Sequence, residues 1–277
     1  MPFALVLLGT CLAANVLLGP LGAGVIQWHV SAIGINQTYG ADAVSLVLVA
    51  PTAFIAGLLW RAGHRLAAPL ALGVGLVTLY YAVAETLGGD YVRYPGNSER
   101  FFLLFLALII LSWIIALRAW ISLDPQPPRP PFWLRRTFAV VTILGGGFLG
   151  LAWTAQLVPI ALTGAVGPEY LDSPSAFWTI RIVDLGFIVP AAVWTGYGLW
   201  QDRSSAIKAA YAMASFLTMQ GTSVFAMGLV MLWRQDPTAS PAFFVVLTPV
   251  VIAIAVLTVK LLTSYSQVGP PLRTREA

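Results

Sequence analysis

Six ionisable side chains stand where an apolar chain has least use for them. Asp42, Glu85, Glu99, Arg100, Arg181 and Asp184 lie at or just inside the edges of long hydrophobic stretches. A charge in or near hydrocarbon is costly, so each needs a partner or a task. Arg181 and Asp184 are three residues apart and share a helix face. They could form an intrahelical ion pair. Alternatively, Arg181 could hold an anionic ligand group or a carboxylate from another segment, because its planar fork bonds carboxylate or phosphate at two points.

Thr78, Tyr81 and Glu85 recur at helical spacing and make a polar stripe that ends in a carboxylate. In low-dielectric surroundings Glu85 calls for a cation, which Arg100 or Arg181 could supply. Interfacial water is the plainer alternative. Asp42 follows the polar run Gln37-Thr38-Tyr39-Gly40-Ala41. It could simply cap the next helix, whose N-terminus favours an anion. Gln156 completes the candidate set, although Gln156 and Gln220 could equally serve as interhelical hydrogen-bonding groups. The expected ligand-binding residues are therefore Asp42, Tyr81, Glu85, Arg100, Gln156, Arg181 and Asp184.

Other chemistries find no support. His29 and His64 fall on opposite sides of the membrane and cannot jointly ligate haem or a metal. Cys11 is the single cysteine, so no disulfide or thiolate cluster can form within the chain. The residues before Cys11 match a lipoprotein box poorly. No nucleophile elbow, zincin or nucleotide-binding fingerprint occurs. Gly145-Gly146-Gly147 lacks the Lys and Ser/Thr of a phosphate loop and reads as close helix packing. No cofactor is expected.

The elements that must position these residues are transmembrane helices. The 277 residues are 58% hydrophobic and only 9% charged, against about 25% charged in a soluble domain. Mean hydropathy is +0.83. Eight stretches have the length and apolarity of a span: 4–27, 43–60, 66–87, 101–122, 137–163, 177–200, 206–233 and 242–265. The fold class is therefore all-α, a polytopic transmembrane bundle of eight spans.

Basic residues sort by loop. Arg61, Arg65, Arg118, Arg129, Arg135, Arg136, Arg203, Lys208, Lys260, Arg273 and Arg275 fall on one side. The other side holds Arg93, Arg100 and Arg234. This bias places both termini in the cytoplasm, and the expected location is the plasma (inner) membrane. It also accounts for the net charge of +4 without nucleic acid. The six buried or edge charges then all lie toward the outer leaflet.

Residues 124–136 form a Pro-rich cytoplasmic connector, stiff because proline favours polyproline II. It separates a first four-span half (1–123) from a second (137–266), followed by a tail (267–277). No repeat between the halves is evident at this level. Most tryptophans fall near span ends, as an aromatic belt does. Trp153 lies deeper.

Three stretches resemble an uncharacterised group of prokaryotic eight-span membrane proteins. They are Asn36 to Pro51, Gln156-Leu157-Val158-Pro159 with Gly164, and Ile182 to Phe187 leading to Pro190 and Gly198-Leu199-Trp200. The resemblance implies the same topology and would place a lysine where this chain has Gln220. It implies no substrate. The expected function is an outer-leaflet polar pocket that binds or transports a small or amphipathic ligand, with membrane lipids as neighbours. The alternatives are a structural or accessory subunit with partner membrane subunits, and an intramembrane enzyme using paired carboxylates on a lipid or isoprenoid.

Overall fold

The computed structural model describes residues 1–267. The expected tail beyond Gln267, with Arg273 and Arg275, lies outside the described residues. Helix α1 covers Pro2–Leu18. It is followed by α2 (Ala32–Arg61), α3 (Ala67–Leu87), α4 (Ser98–Ser122) and α5 (Phe132–Thr163). A short α6 covers Pro168–Asp172. Then come α7 (Pro174–Trp200), α8 (Ser204–Trp233) and α9 (Pro241–Gln267). Among the described residues, α2–α5 and α7–α9 are seven helices long and apolar enough to cross a membrane. The chain is a multi-pass membrane protein.

Helix α1 is shorter than its apolar sequence suggests. It stops at Leu18, and residues 19–31 are non-helical. Pro20 brings no N–H to continue the ladder. The freed carbonyls of Leu17 and Leu18 instead accept from the backbone N–H groups of Ala23 and Ile26, each at 2.8 Å.

Helix α2 departs in the opposite sense. The polar run before Asp42, expected as a loop, is helical from Ala32 onward. Ser31 caps it, its hydroxyl accepting from the Gly34 N–H at 3.1 Å. Asp42 is therefore not an N-cap but lies about three turns inside the helix. The run is polar because its side chains meet other helices. Asn36 donates to Asp236 at 2.8 Å, and Tyr39 stacks under Arg234 with 4.1 Å from guanidinium carbon to ring centre.

The two halves repeat one design at a fixed spacing. Helices α2 and α7 each contain one turn of π-helix, Ser45–Val49 and Asp184–Ile188. Each is followed by a proline, Pro51 or Pro190. The turn after α2 bonds Ala62 N to Leu58 O, Gly63 N to Trp60 O and His64 N to Leu59 O. The turn after α7 bonds Gln201 N to Tyr197 O, Asp202 N to Leu199 O and Arg203 N to Gly198 O. Gly63 and Asp202 both take a positive φ. Every pair is 139 positions apart, as Gly63 and Asp202 are.

Packing repeats as well. Gly9 of α1 lies against Ala50 and Phe54 of α2, and Gly146 of α5 lies against Val189 and Val193 of α7. Gly57 of α2 faces α1, and Gly196 of α7 faces α5. Small residues at these points let the backbones approach closely. The chain thus holds two related four-helix units, joined mainly through α8, which packs on both α2 and α3. A Cβ on Gly73 of α3 would lie 2.4 Å from that of Ser215 in α8. Of the long helices, α3 is the most buried. The outer helices show lipid-sized side chains such as Leu103, Leu144 and Val245.

Candidate functional site

The loops 19–31, 88–97, 164–173 and 234–240 share the face opposite the basic loops. They tie to one another. Ser31 donates to Asp172 at 2.6 Å, and the Tyr94 hydroxyl donates to the Asp172 carbonyl at 2.7 Å. Asn97 donates to the Val25 carbonyl at 3.0 Å. At the centre of this cap, His29 Nδ1 meets the Tyr94 carbonyl at 2.7 Å and Nε2 meets the Glu99 carboxylate at 2.7 Å. Both partners offer acceptor oxygens, so the imidazolium form, with hydrogen on both ring nitrogens, is the one that satisfies both contacts and pairs with Glu99. Burial lowers the affinity of His29 for its proton. The bonds to Glu99 and to the Tyr94 carbonyl outweigh it and hold the pKa above its ordinary value.

Beneath the cap, the expected charge set divides in two across α3. Adjacent residues on a helix point about 100° apart, and Tyr80 and Tyr81 serve different clusters. Tyr81 donates to Asp42 Oδ1 in a short bond of 2.5 Å. Asn15 of α1 donates to the Tyr81 oxygen at 3.3 Å. Glu85, half-buried one turn above Tyr81, is faced by the Thr38 hydroxyl and by Asp42. The expected arginine is missing from this cluster. Neither Arg100 nor Arg181 pairs with Glu85. Arg100 is exposed at the start of α4, with no ion-pair partner among the described residues. The structure therefore joins Asp42, Tyr81 and Glu85 and excludes Arg100.

The second cluster holds Arg181, Asp184 and Gln156. Arg181 does not pair with Asp184. Its guanidinium donates to the Gln156 side chain and to Glu169 of α6. Its guanidinium carbon lies 4.1 Å from the ring centre of Trp153 and 4.0 Å from that of Phe177. Asp184 accepts instead from Trp153 Nε1 at 2.7 Å, and Tyr80 faces the same carboxylate. The π turn explains the change of partner. Asp184 opens that turn, where the widened helix re-aims its side chain toward α5. The Arg181 side chain is 5% exposed, whereas that of Glu169 is 62% exposed. The buried Arg181 Nε has no hydrogen-bond partner.

A cleft of about 360 Å³ opens at the cap. Pro20, Trp28, Ile35, Tyr39 and Pro95 are among the residues that line it, and none of the seven expected ligand residues does. Asn15, Glu169, Phe177 and the His29–Glu99 pair stand outside the expected set. Asn15 did carry a signal, as an amide inside an apolar helix. Glu169 carried none, because it lies in a loop whose path only the fold determines. Comparison with protein-family models, with curated proteins and with solved structures returns no match.

Proposed function

We propose that this protein binds, and carries across or within the membrane, an amphipathic ligand with an anionic head, with Arg181 as the group that holds the head. The bundle is read as eight spans in the plasma (inner) membrane with both termini cytoplasmic, α1 being the short first span. One observation carries the proposal. A guanidinium buried among apolar helices is satisfied by an exposed carboxylate on a five-residue surface helix. Glu169 occupies the position of a ligand anion and can be displaced by one, because it loses little on returning to water. Trp153 and Phe177 supply flat apolar walls. Phe187 and Ile182, both exposed on the same helix as Arg181, offer a surface for an alkyl tail. The Arg181 Nε adds a donor that no side chain uses. Parallel internal repeats are one architecture of secondary transporters.

The test is thermal stability of the purified protein with a single-chain alkyl phosphate and with the matching neutral alcohol. The phosphate should raise the wild-type midpoint and the alcohol should not. Glu169→Ala, which uncovers the guanidinium, should enlarge the shift. Arg181→Lys keeps the charge but loses the fork, and should abolish most of it. No shift in any variant would sink the proposal and favour an accessory subunit whose polar clusters are internal glue. Chemical conversion of the probe would move the reading to an intramembrane enzyme.

A further inference from the structure

We infer that the Asn15–Asp42–Tyr81–Glu85 cluster is a binding site for one small monovalent cation, a proton or an alkali ion. The inference is independent of the anion reading at Arg181. Asn15 and Asp42 are each only 1% exposed. The hydrogen-bond chain from Asn15 through Tyr81 to Asp42 uses one donor of the amide, the phenol proton and one carboxylate oxygen. Two buried oxygens are left without a donor, Asn15 Oδ1 and Asp42 Oδ2. Both are acceptors, and an orphaned buried acceptor costs about 1–3 kcal/mol. What the cluster lacks is positive charge.

Two further features agree. Helix α1 ends beside the cluster, so the negative end of its dipole points there. Broken helix ends of this kind hold coupling cations in transporters. Gly19 sits at that end, where even a Cβ would lie 3.5 Å from Asp42 Oδ2. The repeat shows what occupies the corresponding place in the other half. Asp42 corresponds to Arg181, at the same spacing as Gly63 to Asp202. Gly19 corresponds to Gln156, at the spacing of Gly9 to Gly146. In the second half a fixed guanidinium donates to Gln156 and to a carboxylate. In the first half the carboxylate is fixed, and a mobile cation completes the pair. The one carboxylate that lacks a donor, Asp42, has the neutral oxygens of Asn15 and Tyr81 beside it, and that set suits a single positive charge. A calcium ion takes six to eight oxygens.

The ionisable groups facing Asp42 are Tyr81 and Glu85, both from α3. Helices α1 and α8 present none to it. The experiment uses the full-length protein in detergent, wild type against Asp42→Asn and Asn15→Ala. Thermal midpoints are taken in sodium, potassium and choline chloride at equal ionic strength. Infrared difference spectra across a pH jump follow protonated carboxyl groups. An alkali ion at the site predicts a rise of about 3 °C or more over choline. That rise should vanish in Asp42→Asn and shrink in Asn15→Ala. A proton predicts no salt selectivity and a carboxyl band that titrates and disappears in Asp42→Asn. Asn15→Ala leaves the Asp42 carboxylate in place and removes only a neutral amide, so it keeps the alkali and proton arms readable where Asp42→Asn fails to fold. Equal midpoints in all three salts, with no titrating carboxyl band that either variant alters, overturn the inference.

Discussion

At the scale of single residues, partners were harder to foresee than places. The sequence marks Arg181, Asp184, Asp42 and Glu85 as charges that need company, and the structure gives each of them company. It chose different partners because hydrogen-bond geometry is set by helix rotation and by the π turn at Asp184, and neither is written in residue spacing. The His29–Glu99 pair makes the point in the loops, where two residues 70 positions apart meet only because the cap is folded. That pair carries a pH signature. Its folded-state pKa is raised, so the stability it adds is fully present below the ordinary histidine value of 6.5. It is lost as pH rises through the folded-state value. Thermal midpoints of wild type and Glu99→Gln should therefore differ most near pH 6 and converge toward pH 8.5. A gap that widens with rising pH would contradict the imidazolium assignment.

At the scale of helices, length and apolarity located the seven long helices well. Boundaries failed where polarity had a tertiary cause. The run from Asn36 to Asp42 is polar because it faces other helices, so it looked like a loop and is a helix. Glycine is the clearest element-level signal that was present and unread. The pattern Leu-x4-Pro-x-Ala-x3-Gly runs from Leu46 to Gly57 and again from Leu185 to Gly196. Few other residues match, because in lipid most apolar side chains can be exchanged without consequence while small contact residues cannot. The contacts predict an ordered response to substitution. A Cβ on Gly40 would lie 2.4 Å from the Met227 backbone, which cannot rotate away. Gly40→Ala should cost about 1–3 kcal/mol, and Gly73→Ala, against Ser215, a similar amount. Gly147→Ala meets nothing within 4 Å and should be neutral or slightly stabilising, since alanine favours helix. Denaturation midpoints that fail to separate Gly147 from the other two would show that the helices are not in contact as described.

At the scale of the whole molecule, the repeat and the charge bias constrain each other. Two units of the same orientation would each need an even number of crossings, and it is on this ground that the proposed eight-span topology counts the short α1 as a span. Each unit carries an ion pair on the basic face, Arg65 with Asp124 at 3.6 Å in the first and Arg135 with Asp202 at 2.5 Å in the second. That face should be cytoplasmic under the positive-inside rule. Cysteine labelling decides the matter in a Cys11→Ala background. Ala62→Cys and Gln201→Cys occupy corresponding exposed positions in the two units. Both should react with a membrane-impermeant maleimide only after cells are opened. Val92→Cys and Ser240→Cys, exposed on the opposite face, should react in intact cells. Labelling of Ala62→Cys and Gln201→Cys from opposite sides would mean that the units are inverted, and α1 would then be no span. Labelling of both from outside would keep the repeat and reverse the protein. Arg181 and the Asp42 cluster would then open toward the cytoplasm, and the anion that Arg181 holds would be taken from the inner leaflet.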